Sequence, residues 1–260
     1  MARSLMPVER RKKVLEMVQE LGSVSVNELS VHFNVSEETI RRDLQQLENE
    51  SRLSRAYGGA YLGDTVGQDV PFSLRKDTKK KEKEIIARGV KTIVQSGDTI
   101  FLCPSTTSLM IAQAIRNMKN LTIITNALFI ANVLADSEDI RVICTGGELD
   151  KKRQTFSGCT TLEALNTFYA DKAFVSCTGV SLEGGLTDSS EIQGRVRQTM
   201  LKHSQRKFLI ADHTKFGKTT LSSIAPISDI NCVICDQALS PNWLDTFHKY
   251  NIDFIDASQY

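Results

Sequence analysis

The sequence predicts two domains of different class: a winged helix–turn–helix, mainly α, over residues 1–62, and an α/β domain built on a parallel sheet over residues 79–260. Three observations predict this. Three amphipathic helical stretches follow one another within the first fifty residues, and a Gly-Gly pair between two short extended runs comes directly after them. From Thr99 onward, short apolar runs alternate with helical stretches, as in a sheet covered on both faces. Between the two regions, residues 63–78 have the polar composition of a linker. A length of 260 residues suits two modest domains better than one.

The first helix opens at Pro7, which suits the first helical position. It aligns Val14, Met17, Val18 and Leu21 on one stripe before Gly22 ends it. The second starts at Ser25-Val26-Asn27-Glu28, the spacing of a capping box in which each side chain satisfies the other residue's N–H. Val26, Leu29 and Phe33 are its apolar positions. After Asn34 and Val35, Ser36 caps a third helix with Ile40, Leu44 and Leu47 inward. Glu37 and Glu38 in its first turn suit the helix dipole.

Two short helices across a tight turn, with a supporting helix before them, are the parts of a helix–turn–helix. Opposite the inward stripe of the third helix lie Glu38, Arg42, Gln45 and Asn49, flanked by Thr39 and Arg41. Such an edge can enter a major groove, where Arg41 and Arg42 take phosphates or guanine edges and Ser25, Ser36 and Thr39 suit phosphate oxygens. The run Arg52 to Leu62 around Gly58-Gly59 predicts a hairpin, or wing, from which Arg55 and Tyr57 can touch the DNA. The same residues have a plainer reading. Glu38 and Arg42 stand at i, i+4 as a surface ion pair, and helix–turn–helix geometry also serves protein docking.

From Asp64 to Glu84 the chain is polar and basic, with Arg75, Lys76, Lys79, Lys80, Lys81 and Lys83 read as a solvated face in preference to a DNA contact. Strands are then predicted at Thr99–Leu102, Leu121–Thr125, Arg141–Cys144, Lys172–Val175, Lys207–Ala211, Cys232–Cys235 and Asp253–Ile255, with helices over Thr106–Asn117 and Asn126–Leu134. Ligands of parallel sheets bind beyond the carboxyl ends of the strands. There the sequence gathers Ser105, Thr106, Thr107, Thr125, Asn126, Gly146, Gly147, Thr178, Gly179 and Lys215. Ser105 to Thr107 open a helix directly after a strand, so free N–H groups, the dipole and hydroxyls make an anion site, or simply a cap. Lys215 either adds a positive charge there or is an exposed loop lysine. Gly146 and Gly147 allow close backbone approach or merely a turn. Asp188 and Glu191 cap the start of a further helix or meet a ligand.

Composition excludes some classes. Net charge is +1, and the first sixty residues balance nine Lys and Arg against nine Asp and Glu, so a nucleic-acid partner must be argued from placement of charge. There is neither a secretory signal nor an apolar run of membrane-spanning length, and six cysteines scattered in apolar stretches fit reduced thiols. A cytoplasmic protein with no membrane partner is expected. Cys232 and Cys235 sit in a strand-like run, where residues three apart face opposite ways, so no metal site is expected.

Val24-Ser25-Val26-Asn27-Glu28-Leu29, then Val35-Ser36-Glu37-Glu38-Thr39-Ile40-Arg41-Arg42-Asp43-Leu44, then Tyr57-Gly58-Gly59-Ala60, closely resemble the DeoR family of bacterial repressors. Thr145 to Glu148, Leu182 to Thr187 and Ala211 to Gly217 continue the likeness. The resemblance implies a homo-oligomeric repressor of sugar-catabolic genes that binds double-stranded operator DNA and is released by a phosphorylated sugar, with no cofactor. It also implies that the α/β domain senses that effector and is similar to sugar-phosphate isomerases and deaminases, in which the turn corresponding to Ser105–Thr107 holds the phosphate. An enzyme of that kind is the rival expectation. Ser176-Cys177-Thr178-Gly179 stands where the enzymes' pattern and many family members have an acidic residue, and Cys103 where an Asp is common in the family, which favours a catalytically silent sensor. His213 lies on a candidate binding loop without an assigned role.

Overall fold

The computed structural model describes residues 6–21, 23–50, 52–56, 58–61 and 72–260. The chain divides into two compact units, Met1–Thr78 and Lys79–Tyr260.

In the first unit, α1 (Pro7–Leu21), β1 (Ser23–Ser25), α2 (Val26–Phe33), α3 (Glu37–Asn49), β2 (Ser54–Ala56), β3 (Gly59–Tyr61) and α4 (Phe72–Asp77) follow in order. Val14, Val18, Leu29, Ile40, Leu44 and Leu47 meet in one buried cluster with Leu53 and Ala60, so the apolar stripes of the three helices close on the hairpin. The side chain of Leu21, assigned to the α1 stripe, lies outside the described residues. The wing carries a third strand that the sequence reading left out: β1 pairs antiparallel with β3, which pairs with β2, in the order β1-β3-β2. Gly58, at φ 92, takes the turn conformation that a side chain disfavours. The stretch read as linker holds α4.

The second unit opens with α5 (Lys80–Lys91). In the basic run, Lys80 and Lys81 are exposed as a solvated face requires, but Lys83 turns inward and is buried. The chain continues with β4 (Thr99–Leu102), α6 (Thr106–Ile115), β5 (Leu121–Thr125), α7 (Leu128–Leu134) and β6 (Ile140–Cys144). A hairpin follows, β7 (Glu148–Asp150) and β8 (Thr155–Ser157), then α8 (Cys159–Asn166) and β9 (Ala170–Val175). Next come β10 (Gly179–Ser181), β11 (Gly185–Asp188), α9 (Glu191–Lys202), β12 (Ser204–Ile210), β13 (Ser222–Ala225), β14 (Cys232–Cys235), α10 (Pro241–Lys249) and β15 (Asp253–Asp256).

Seven of these strands form one parallel sheet in the order β15-β14-β12-β9-β4-β5-β6. Its inner strands are mostly apolar and buried, as a sheet with two covered faces demands, apart from the polar opening of β12 over Ser204–Lys207. From β4 the chain moves outward to β6, then returns to lay β9 on the free side of β4 and moves outward the other way. The β4/β9 boundary is therefore the topological switch point, beside which ligand crevices open. Two smaller antiparallel assemblies, β7-β8 and β10-β11-β13, were not anticipated from sequence.

Candidate functional site

The first unit offers one polar helix edge. Ser36 caps α3 by accepting from the Thr39 N–H at 3.3 Å, and its hydroxyl lies 2.9 Å from that of Thr39. Ser25 and Glu28 form the capping box on α2. The hydrogen bonds from Ser25 hold the Glu28 carboxyl below its usual range despite slight burial. Arg41 pairs with Glu37 at 2.5 Å and Arg42 with Glu38 at 3.5 Å, all exposed or nearly so, so both arginines can release these partners at little cost. Gln45 donates to Asn49 at 3.0 Å and accepts from the Arg55 guanidinium. The Arg55 main-chain N–H donates to Glu48 at 3.1 Å, so Arg55 clips the wing to the end of α3 instead of standing free. Tyr57 lies outside the described residues. What holds α3 in place was missed from sequence: Asp43, on its inward side, pairs with Arg10 at 2.5 Å, buried, and with Arg11 at 3.6 Å.

In the second unit the switch point is drawn together by a buried arginine. Arg197, 5% exposed on α9, donates to the Ser176 carbonyl at 2.9 Å and the Gln193 carbonyl at 3.1 Å, and reaches the Pro104 carbonyl at 3.5 Å. It also pairs with Asp188 at 3.1 Å. Burial opposes its charge, but Asp188 and the Cys103 and Cys177 sulfurs outweigh that and hold the guanidinium above its ordinary range. The Cys103 sulfur accepts from the Ser176 N–H at 3.2 Å, a second tie between the ends of β4 and β9.

Onto this frame fall Ser105, Thr106 and Thr107, all buried in or beside the first turn of α6. Ser105 is the cap, accepting from the Ser108 N–H at 3.0 Å. Lys215 ends a 3-10 turn, His213–Lys215, beyond β12; its charge and those of Asp188, Arg197 and Asp212 all act on Cys177, whose thiol burial pushes up to about 12. Thr178 is at the same end, accepting from the Ser189 N–H at 3.4 Å. His213 is held by Asp236, which lies 2.8 Å from its Nδ1.

Other sequence candidates have structural duties. The Thr125 hydroxyl donates to the Leu102 carbonyl at 2.8 Å and accepts from the Ala127 N–H at 3.1 Å, lacing β5 to β4. Gly179 is needed for a close approach, since a Cβ there would stand 2.6 Å from the Lys218 carbonyl oxygen. Gly147 likewise abuts α8, and the Thr161 hydroxyl donates to the Gly146 carbonyl at 2.7 Å. Asp188 is occupied by Arg197 and by the Ser190 N–H, and Glu191 by Arg195, leaving Ser190 as the cap of α9. Arg197 and Gln193 were missed, yet they share the stripe of Val196, Met200 and Leu201, all buried, so helical spacing marks them. Among the described residues no three His, Cys, Asp or Glu side chains gather as a metal would need, and no helix is long and apolar enough to cross a membrane.

A supported helix–turn–helix with a wing, followed by an α/β unit with polar side chains gathered at its switch point, defines a two-part DNA-binding regulator. The comparisons give its lineage. Residues 10–66 match the DeoR-like helix-turn-helix domain and residues 78–237 the DeoR C terminal sensor domain, and the chain belongs to the DeoR family of transcriptional regulators. It is 39% identical over 237 residues to the HTH-type transcriptional regulator YulB of Bacillus subtilis, covering 91% of this chain and 92% of that one. It is 35% identical over 228 residues to the glycerol-3-phosphate regulon repressor of Escherichia coli, covering 88% and 90%. Among solved structures, the ribose 5-phosphate isomerase A of Methanocaldococcus jannaschii aligns with 53% of this chain and 55% of that one, at 14% identity and a TM-score of 0.39, too low to bear on chemistry.

Proposed function

We propose that this regulator represses a sugar-related operon and leaves its operator when a phosphorylated sugar binds at the first turn of α6. The observation that carries the reading is the construction of that turn. The Ser105 side chain satisfies the third N–H of the helix, so the N–H groups of Thr106 and Thr107, their hydroxyls and the dipole are left for an external anion. Thr178, just after β9, and Lys215, after the neighbouring β12, support the reading, and Asn126 follows the neighbouring strand β5. On the other unit, Ser36, Thr39, Arg41, Arg42 and Gln45 form the DNA-reading edge, with Ser25, Glu38 and Arg55 around it; Tyr57 is assigned to DNA contact from its place in the sequence. The protein works in the cytoplasm as a homo-oligomer whose paired heads meet repeated half-sites. Its six unpaired cysteines suit that reducing compartment.

The reading is tested by gel shift with the DNA upstream of the protein's own gene. Affinity is expected to fall steeply with salt, by a logarithmic slope of about 0.9 per neutralised phosphate. Replacing Arg41 and Arg42 by Ala weakens binding by tenfold or more. Replacing Thr106 and Thr107 by Ala leaves DNA binding intact and removes its release by sugar phosphates. Release that survives the double change places the phosphate elsewhere.

A further inference from the structure

Two buried amide oxygens of the sensor unit have no hydrogen-bond partner among the described residues, and both stand beside β8. Asn126 is fully buried. Its Nδ2 donates to the Phe156 carbonyl at 2.7 Å and its own carbonyl accepts from the Phe156 N–H at 2.8 Å, while Oδ1 meets no donor among the described residues. Gln193, 5% exposed on the first turn of α9, sets Nε2 3.3 Å from the Thr155 hydroxyl and leaves Oε1 equally unmet. Thr155 and Phe156 are neighbours, so the two oxygens flank one short piece of strand. Arg197 links this place to the turn of α6, binding the Gln193 carbonyl on one side and approaching the Pro104 carbonyl on the other.

Folded interiors rarely leave a buried carbonyl oxygen unpaired, because its lost hydration is not replaced. An amide oxygen can only accept, so it calls for an N–H or O–H donor, and the acceptor oxygens of a phosphate would be repelled. We propose that Asn126 Oδ1 and Gln193 Oε1 accept hydrogen bonds from the hydroxyl groups of the phosphorylated polyol whose phosphate sits at Thr106 and Thr107, and so set which polyol the sensor accepts. This rests on the phosphate reading of the α6 turn. Both oxygens are closed to solvent, so a ligand reaches them as the β7–β8 hairpin shifts. Glycines with positive φ stand at both of its roots: Gly146 and Gly147 at one, Gly158 at the other. Sites that pair hydroxyls through buried acceptors reject ligands lacking them far more strongly than apolar pockets do.

The test is calorimetric titration of the full chain with glycerol 3-phosphate, ribose 5-phosphate, glucosamine 6-phosphate and inorganic phosphate. Wild type is compared with Gln193→Met, which keeps the side-chain length and removes the acceptor. Gln193→Leu is the second variant should the first fail to fold. At least one polyol phosphate is expected to bind wild type at least tenfold more tightly than inorganic phosphate and to lose that advantage in the variant, while inorganic phosphate binds both alike. An unchanged ratio, or no advantage in wild type, overturns the proposal and leaves a buried water as the partner of these oxygens. Failure of the phosphate reading looks different: Thr106→Ala with Thr107→Ala would then bind inorganic phosphate as wild type does.

Discussion

Asp43 anchors the recognition helix through charge. Its carboxylate is almost wholly buried and held by Arg10 and Arg11 of α1, so the orientation of α3 on its support depends on a desolvated ion pair as well as on Ile40, Leu44 and Leu47. Removing one partner of such a pair strands the other's charge in the interior, at a cost of roughly 3–5 kcal/mol. Asp43→Ala should therefore lower the stability of the DNA-binding unit by that order and weaken DNA binding, although Asp43 faces away from the reading edge. Hydrogen exchange of α1 and α3 amides would register it; unchanged protection in the variant would show the pair to be dispensable. In the sequence Asp43 is visible only as part of the Arg-Arg-Asp run. That it faces inward follows from its place beside Leu44 and Leu47, and that it needs Arg10 could not be read, since the two are 33 positions apart.

At the scale of elements, the β7–β8 hairpin makes the sharpest prediction. A Cβ at Gly147, φ 117, would stand 2.3 Å from the Thr161 hydroxyl oxygen and 2.6 Å from the Ser157 carbonyl oxygen, whereas one at Gly146, φ 67, meets nothing within 4 Å. Gly146→Ala thus carries only backbone strain, about 1–3 kcal/mol, while Gly147→Ala adds a collision with main chain. Thermal melting should rank Gly147→Ala clearly below Gly146→Ala; equal melting points would mean the hairpin root yields freely. Elements of this kind were the illegible ones. The parallel strands could be read because Ile123-Ile124 or Cys232-Val233-Ile234-Cys235 are continuous apolar runs, and α1 to α3 because their stripes repeat at helical spacing. β7, β8, β10, β11 and β13 are three or four residues each, several half-exposed, and exist through partners distant in the chain. Gln193 and Arg197 escaped notice because polar side chains on a helix are ordinarily taken as solvated, even on a stripe with Val196 and Met200.

Among the described residues each unit has a hydrophobic core of its own, the first around Leu29, Ile40 and Leu44, the second including the cluster around Phe101, Val175 and Leu209. Scanning calorimetry is expected to resolve two unfolding transitions, and a bound sugar phosphate should raise only that of residues 79–260. At a hundredfold excess over Kd the gain is about 2.7 kcal/mol. A single transition that the ligand shifts as a whole would mean the units unfold together. For the ligand to act on DNA it must also favour one arrangement of the protein over another, since equal affinity for both moves no equilibrium.

The strand order has a consequence for synthesis. β4, β5 and β6 leave the ribosome before β9, which must cover the open side of β4, and residues 103–169 have to be translated in between. At about 5–20 residues per second, the open side of β4 waits several seconds with an apolar edge bare. That interval, rather than the finished fold, is where this chain is most exposed to sticking to its neighbours, and where a chaperone would have most to protect.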